Sequence, residues 1–324
     1  MTARAFWTIG PGQGELRAET LPAPGPDQAL VRTLASGVSR GTESLVFAGR
    51  VPASQYAAMR CPFQAGDFPF PVKYGYSAVG IVEAGPPALI GRRVFCLHPH
   101  QDRFLAPAAM LHTVPETVPT RRAVLAANME TALNIAWDAA ALPGERVLVI
   151  GAGVVGLLAA HLLARIPGVT LTAIDTDPGK ARIAAALGLA FATPGEAPAE
   201  AELIVHASGS PDGLALALAR AGFEARIIEA SWFGDRVVPL PLGEAFHSRR
   251  LRLISSQVGS IAAPMRGRRS HAERLSLALA LLDDARLDAL LDGPTPFADL
   301  PATMARLAAS PGALCHLIAY DPSV

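Results

Sequence analysis

The sequence predicts a two-domain α/β protein, with a β-rich domain leading and a doubly wound parallel sheet following. Three observations carry this. Residues 146–156 read Arg-Val-Leu-Val-Ile-Gly-Ala-Gly-Val-Val-Gly, an apolar run that breaks into G-x-G-x-x-G where a helix opens. The middle third alternates strand-like and helix-like segments, the pattern of a parallel sheet covered on both faces. The first third instead carries short β-like runs parted by Gly and Pro clusters, such as Pro22–Pro26 and Gly85-Pro86-Pro87. Such punctuation marks a compact, mostly antiparallel domain.

In chain order, the leading domain takes strands at Ala29–Leu34, Ala78–Glu83 and Arg93–Leu97. The parallel sheet takes strands at 147–150, 169–174, 189–193, 203–208, 225–231 and 251–258. Helical patterns fall near 154–165, 178–187 and 212–221. At the first of these strands Gly151 permits a tight turn, Gly153 keeps no side chain between backbone and a pyrophosphate, and Gly156 lets the helix approach the strand. The helix start at Val154 and Val155 offers N–H groups and a partial positive charge to phosphate. Asp175 ends the second strand, 19 positions after Gly156. A carboxylate there accepts ribose hydroxyls and repels a 2′-phosphate, and no Arg follows it directly, so the cofactor expected is NAD. Asp177 and Pro178 start the next helix as N-cap and first turn, Lys180 lies near the ribose edge, and Gly188 ends the helix. The cofactor-binding candidates are Gly151, Gly153, Val154, Val155, Gly156, Asp175, Lys180 and Ser208.

The tail returns to a helix at 271–283 behind a Ser270/Glu273 capping box, and Ala313–Tyr320 reads as a final strand. A β-rich start, a dinucleotide domain and a tail with its own strand predict an inserted architecture, the tail folding back on the first domain. The expected boundaries are 1–122 with 260–324, and 123–259. The cleft between them would hold nicotinamide and substrate.

Composition narrows the partners. The 324 residues carry 28 basic and 28 acidic side chains, so no global field favours nucleic acid or an anionic membrane. The basic stretches His247–Arg252 and Arg266–His271 lack stacking aromatics and read as solvated ends, with an anionic substrate tail near Arg249 or Arg268 as the other reading. No apolar run is long enough to span a bilayer, and the N-terminus has no signal-peptide core. Cys61, Cys96 and Cys315 form no disulfide framework, which fits a cytoplasmic protein. A small-molecule substrate is the expected partner.

With these residues in view, the chain resembles the medium-chain dehydrogenase/reductase superfamily, which includes zinc alcohol dehydrogenases and quinone reductases. The landmarks are Ala35–Glu43, Pro71–Val82, Gly91-Arg-Arg-Val94, the Gly151–Gly156 loop with Asp175, and the closing strand. The resemblance implies a GroES-like β-rich catalytic domain, a Rossmann domain, hydride transfer with a nicotinamide cofactor, and a homodimer paired through the strand at 251–258. Ser36–Glu43 is also similar to a motif of bacteriochlorophyllide dehydrogenases, from which no substrate is assigned. Where zinc members carry a Cys, this chain has Ser39. Where they carry Gly-His-Glu, it has Gly75-Tyr76-Ser77. Their third ligand falls near Ala126–Asn128, with Glu130 a few residues beyond. The four-cysteine lobe is missing between Phe95 and Phe104. A hydroxyl, a phenol and a methyl make no tetrahedral zinc site, so the expected metal is none.

Without zinc, hydrogen-bond donors or a proton relay must handle the substrate oxygen. Tyr76 stands at a ligand position and is either the proton donor or a filler of the vacated volume. Ser39 faces the same space as partner or filler. Glu43 is either a proton acceptor or a surface group near a helix start. His98 aligns with a pocket wall and titrates near neutrality. His98 and His100, on one face of a strand, could join Cys96 in a new metal site. Lys73 is either a cofactor or substrate contact or a solvated strand lysine. Gln55–Phe70 is a lid or a satellite cluster. The reading is an NAD-dependent, zinc-independent oxidoreductase acting on a carbonyl/alcohol carbon. The alternatives are reduction of an activated double bond, and a catalytically inactive NAD-binding sensor or scaffold.

Overall fold

A computed structural model of the chain describes residues 1–310 and 312–320. Pro311 and residues 321–324, part of the expected 260–324 segment, lie outside the described residues. Two compact units form, Met1–Ala127 with Leu275–Val324, and Asn128–Arg274. The joints thus fall at 127/128 and 274/275, a little beyond the expected 122/123 and 259/260.

The first unit is built around the strand Gln28–Val38, whose Ala-Leu-Val and Leu-Ala-Ser-Gly-Val runs are buried almost throughout. It pairs antiparallel with Ala78–Ala84, with Arg103–Pro107 and with the tail strand Cys315–Ala319. His316 sits opposite Val38 and Ile318 opposite Ser36, so the tail does fold back on the first unit. Arg122 locks the same return, its Nε and Nη2 donating to Asp288 at 2.9 and 3.0 Å. Leu291–Pro296, Arg93–Cys96 and His112–Thr113 complete a 7-stranded sheet. A second sheet of 4 strands holds Thr2–Gly10 and Gln13–Thr20. Phe6, Phe47, Phe297, Leu300, Met304 and Ile318 fill one core of the unit.

The second unit carries a 6-stranded parallel sheet. Its strands are β1 (Arg146–Ile150), β2 (Thr170–Ile174), β3 (Ala190–Ala192), β4 (Ala201–His206), β5 (Ala221–Glu229) and β6 (Arg252–Ser255). The spatial order is β3-β2-β1-β4-β5-β6. The chain moves outward one way from β1 and then resumes on β1's other side, so the switch point lies between β1 and β4. The helices are α1 (Val154–Leu163), α2 (Lys180–Ala186) and α3 (Pro211–Arg220). Leu148, Ile150, Ile174, Ile204, Leu214, Leu218 and Ile227 join sheet and helices in one core.

Two local expectations are corrected. α2 starts at Lys180 rather than Pro178, because Asp177 Oδ1 takes the Gly179 N–H at 2.9 Å and spends two residues on a turn. β6 is shorter than 251–258, since beyond Ser255 the chain leaves the edge of the sheet. The Ser270/Glu273 box forms as expected, Ser270 N and Oγ both donating to Glu273 Oε2, ahead of the helix His271–Leu281. Among the described residues no helix is long and apolar enough to cross a membrane.

Candidate active site

The glycine loop in the second unit has the shape of a phosphate cradle. Gly151 takes φ +107, and a Cβ there would come within 2.6 Å of the Ser208 backbone N. A Cβ on Gly156 would overlap the Gly151 carbonyl, so α1 can start against β1 only without a side chain. Gly153 is exposed, and nothing lies within 4 Å of where its Cβ would be. The first helical bond of α1 runs from Leu157 N–H to Gly153 O, at 2.9 Å. The N–H groups of Val154, Val155 and Gly156 therefore precede the ladder and are available to an anion. Asp175 Oδ2 accepts the Ala152 N–H at 2.8 Å and Oδ1 the Asp177 N–H at 3.0 Å. This carboxylate is thus held against the loop with lone pairs to spare. Lys180, expected at the ribose edge, is buried at the start of α2. Ser208 is exposed just past β4.

In the first unit, Ser39 ends the central strand and precedes the helix Arg40–Phe47. Glu43 lies one turn in and reaches back, its Oε1 accepting the Ser39 N–H at 2.7 Å. The other oxygen, Oε2, accepts from His100 Nε2 at 2.9 Å, with both side chains buried. Glu43 is therefore an inner carboxylate and not a surface group. Beyond it, His100 Nδ1 is 2.7 Å from Ser36 Oγ, and Ser36 Oγ is 3.1 Å from the Tyr320 hydroxyl. With the ring neutral, the donations run one way: Tyr320 to Ser36, Ser36 to Nδ1, and Nε2–H to the carboxylate. Tyr320 lines an open surface hollow with Arg4, Arg32, Asp102 and Arg103.

Tyr76 bonds to the Ser39 and Thr42 side chains. Burial pushes its phenol well above the usual range and the Glu43 charge adds to this, while those two bonds pull it partly back. The group stays protonated at neutral pH. Tyr76 also meets Tyr74 edge-on, at 5.9 Å between centroids. Tyr74 meets Phe68 at 5.7 Å and Phe68 meets Tyr56 at 5.6 Å, so the aromatic contacts run on into the Gln55–Phe70 segment, of which Phe68 is buried.

His98 departs from expectation. Its Nδ1–H donates to the Pro99 carbonyl at 2.9 Å, and its ring stacks on Phe104 at 3.9 Å with Phe63 at 5.0 Å. Burial pulls its pKa down to about 3, so it does not titrate near neutrality. The strand ends at Cys96 and Pro99 turns the histidines apart, which removes the expected shared face. His100 spends both nitrogens on Ser36 and Glu43, and burial pushes the Cys96 thiol up to about 12. Among the described residues no three His, Cys, Asp or Glu side chains are grouped to hold a metal ion. The positions at which the resemblance would put zinc ligands hold Ser39, a protonated Tyr76 and the buried Ala126–Asn128 segment, a poor donor set for zinc. Glu130 is spent on Arg274, 3.1 Å away.

Two further candidates are structural. Lys73 Nζ donates to Glu19 at 2.7 Å and Gln101 at 3.0 Å, and Arg249 pairs with Glu200 at 2.5 Å. Sequence reasoning missed the Glu43–His100 pair, whose members stand 57 positions apart with no spacing to join them.

No family model matches the chain. Solved structures do. L-idonate 5-dehydrogenase from Escherichia coli K-12 superposes with a TM-score of 0.81 at 13% identity, covering 99% of each chain. A thermostable alcohol dehydrogenase from Pyrobaculum aerophilum gives 0.78 at 22% identity, over 98% of this chain and 100% of that one. A short chain alcohol dehydrogenase from E. coli CFT073, complexed with NADH, gives 0.78 at 16%, over 98% and 99%. All three neighbours are dehydrogenases by name, and the chain shares their fold over almost its whole length.

Proposed function

We propose that the chain is an NAD-dependent, zinc-independent oxidoreductase of the medium-chain dehydrogenase/reductase superfamily, interconverting a carbonyl and an alcohol. The observation that carries this is the pairing of two features: a phosphate cradle closed by Asp175, and a protonated phenol, Tyr76, where the resemblance puts a metal ligand. Gly151, Gly153, Gly156 and the N–H groups of Val154 and Val155 would hold the pyrophosphate. Asp175 would hold the ribose hydroxyls and discriminate against a 2′-phosphate. Bound there, a nicotinamide dinucleotide supplies a two-electron hydride step.

The residues of the first unit manage the proton. Tyr76 donates its proton to the carbonyl oxygen in reduction and is left as a phenolate, which regains a proton from solvent between turnovers. In oxidation the phenolate form takes the alcohol proton, with the Ser39 and Thr42 side chains hydrogen-bonded to its oxygen. Glu43 holds the Ser39 backbone in place and raises the cost of leaving Tyr76 as phenolate. His98 is a neutral wall beside Phe63 and Phe104. A homodimer joined through the outermost strand β6, where Leu253 is exposed, belongs to the same reading.

The test is substitution at the proton donor. Removing a positioned acid or base costs about 10²–10⁴ in rate. Tyr76→Phe should lose turnover on this scale in a screen of alcohols and carbonyls while NADH affinity, titrated by fluorescence, stays within twofold. Unchanged turnover would remove Tyr76 from the mechanism. Elemental analysis should find well under one zinc per chain, and stoichiometric zinc retained through purification would overturn the zinc-free reading.

A further inference from the structure

A polar cluster that the proposed chemistry leaves unused lies at the ends of β4 and β5. His206 and Glu229 are register neighbours and close these strands. Both strands are otherwise apolar here, Leu-Ile-Val before His206 and Ile-Ile before Glu229. The His206 side chain is fully buried. Its Nδ1 is 2.7 Å from Glu229 Oε2, and its Nε2 is 2.6 Å from Ser208 Oγ. Glu229 Oε1 accepts the Ser231 N–H at 2.7 Å, and Ser231 Oγ accepts the Gly209 N–H at 3.0 Å. The exposed end of the cluster is Ser208, whose backbone lies against Gly151 at the β1/β4 switch point. Ligands of open α/β sheets bind in the crevice at that point.

The atoms match a serine–histidine–acid triad, but Ser208 is not presented for attack. Its Oγ already accepts the Ser210 N–H at 3.1 Å. It also lies so close to α3 that a Cβ on Gly213 would overlap it. What the geometry controls is the direction of one proton. Glu229 keeps a hydrogen on His206 Nδ1 in either charge state. In the neutral ring Nε2 is an acceptor, so Ser208 must point its only hydrogen inward and shows a ligand one lone pair. In the cationic ring Nε2–H donates to Ser208 Oγ, and with the Ser210 N–H this fills both lone pairs. The Ser208 hydrogen then turns outward.

We propose that His206 is a positioning residue that sets Ser208 as acceptor or donor toward the dinucleotide, so that protonation of His206 strengthens cofactor binding. The inference rests on the cofactor site proposed above. A dinucleotide brings phosphate oxygens, which accept hydrogen bonds and carry negative charge. The cationic state suits it twice, by freeing a donor and by adding charge. Of the groups facing His206, Glu229 comes from β5, the Phe233 ring stacks 6.1 Å away, and Arg236 donates to the Gly209 carbonyl at 2.6 Å. Ser231 Oγ also faces His206 Nδ1, at 3.3 Å. Asp212 stands in the first turn of α3. β1 contributes Ile150 as the register neighbour and no titratable group.

The experiment is NADH affinity by fluorescence at pH 6, 7 and 8 and fixed ionic strength, for the wild type, His206→Gln and Ser208→Ala. The wild type should bind at least threefold more tightly at pH 6 than at pH 8. His206→Gln, which cannot titrate, should be flat within about 1.5-fold, with the melting temperature recorded to verify its fold. Ser208→Ala keeps the histidine and removes the switched hydrogen. Its affinity should rise less from pH 8 to pH 6 than the wild type's, because only the histidine's charge is left to favour binding. A wild type flat across this range overturns the inference and leaves the cofactor site standing. So does a pH dependence that survives in both variants. No NADH binding at any pH overturns both.

Discussion

Tyr76 is held neutral by burial and by the Glu43 carboxylate, and that fixes the direction in which it works most easily. A buried phenol gives its proton to a better base and recovers it quickly, and it is a poor resident anion. Glu43→Gln would leave the Ser39 N–H with an acceptor but remove the charge that opposes the phenolate. We expect the alkaline limb of the pH–rate profile to move down, measured on the substrate identified in the screen. A limb that does not move would detach Glu43 from Tyr76. Asp175 is the other residue whose chemistry can be weighed alone. NADH should bind at least about tenfold better than NADPH, a gap of about 1.4 kcal/mol. Asp175→Ala should narrow it, and equal affinities in the wild type would overturn the assignment to NAD. At this scale the sequence was legible where contacts are local. Gly151, Gly156 and Asp175 announce themselves by spacing on one strand–turn–helix unit. The network of Glu43, His100, Ser36 and Tyr320 is assembled from four distant segments, and only the sheet register brings them together.

Elements were read well where periodicity is strong and less well where one backbone bond decides. β1, β2 and α1 fall within two residues of their predicted bounds: β1 stops at Gly151, α1 opens from the glycine loop, and β2 runs from just past Gly168 to Asp175. The start of α2 slipped because the Asp177 side chain captures Gly179 and delays the helix. The helices Ala126–Ala139 and His271–Leu281 hide a feature that sequence did not suggest. Arg274 is almost wholly buried and donates to Glu130 Oε1 at 3.1 Å, to Asn134 Oδ1 at 2.6 Å and to the Val258 carbonyl at 2.5 Å. Burial raises the Glu130 carboxyl and the Arg274 charge opposes the rise. Arg274→Met would strand that carboxylate without a partner. Breaking a buried pair from one side costs about 3–5 kcal/mol, which urea unfolding of the variant should register. Removing both partners with Glu130→Leu in addition should recover a large part of the loss. A single variant as stable as the wild type would show that Glu130 simply takes a proton at no cost.

For the whole molecule the most exposed weakness is acid. His98 is enclosed by Phe104, Phe63 and the Pro99 carbonyl, and folding lowers it from 6.5 to about 3. Above pH 6.5 the ring is neutral in both folded and unfolded chains, and the burial is without a pH penalty. As pH falls through 6.5 the unfolded chain takes up a proton that the folded chain refuses. Stability is then lost progressively until about pH 3, where the folded ring also titrates. Between pH 6.5 and pH 5 this one group removes about 2 kcal/mol at 1.36 kcal/mol per unit. Burial lowers His112 and His316 in the same direction, but they are common to wild type and variant, so a His98 substitution isolates this one group. His98→Asn loses the ring stack at every pH but cannot titrate. The variant should therefore be less stable than the wild type at pH 7, and the difference should shrink by about 2 kcal/mol at pH 5. Urea unfolding at the two pH values, followed through the transition of the first unit, measures this directly. Parallel losses in variant and wild type would mean that water reaches the ring, and with it the neutral wall proposed beside the substrate would fail.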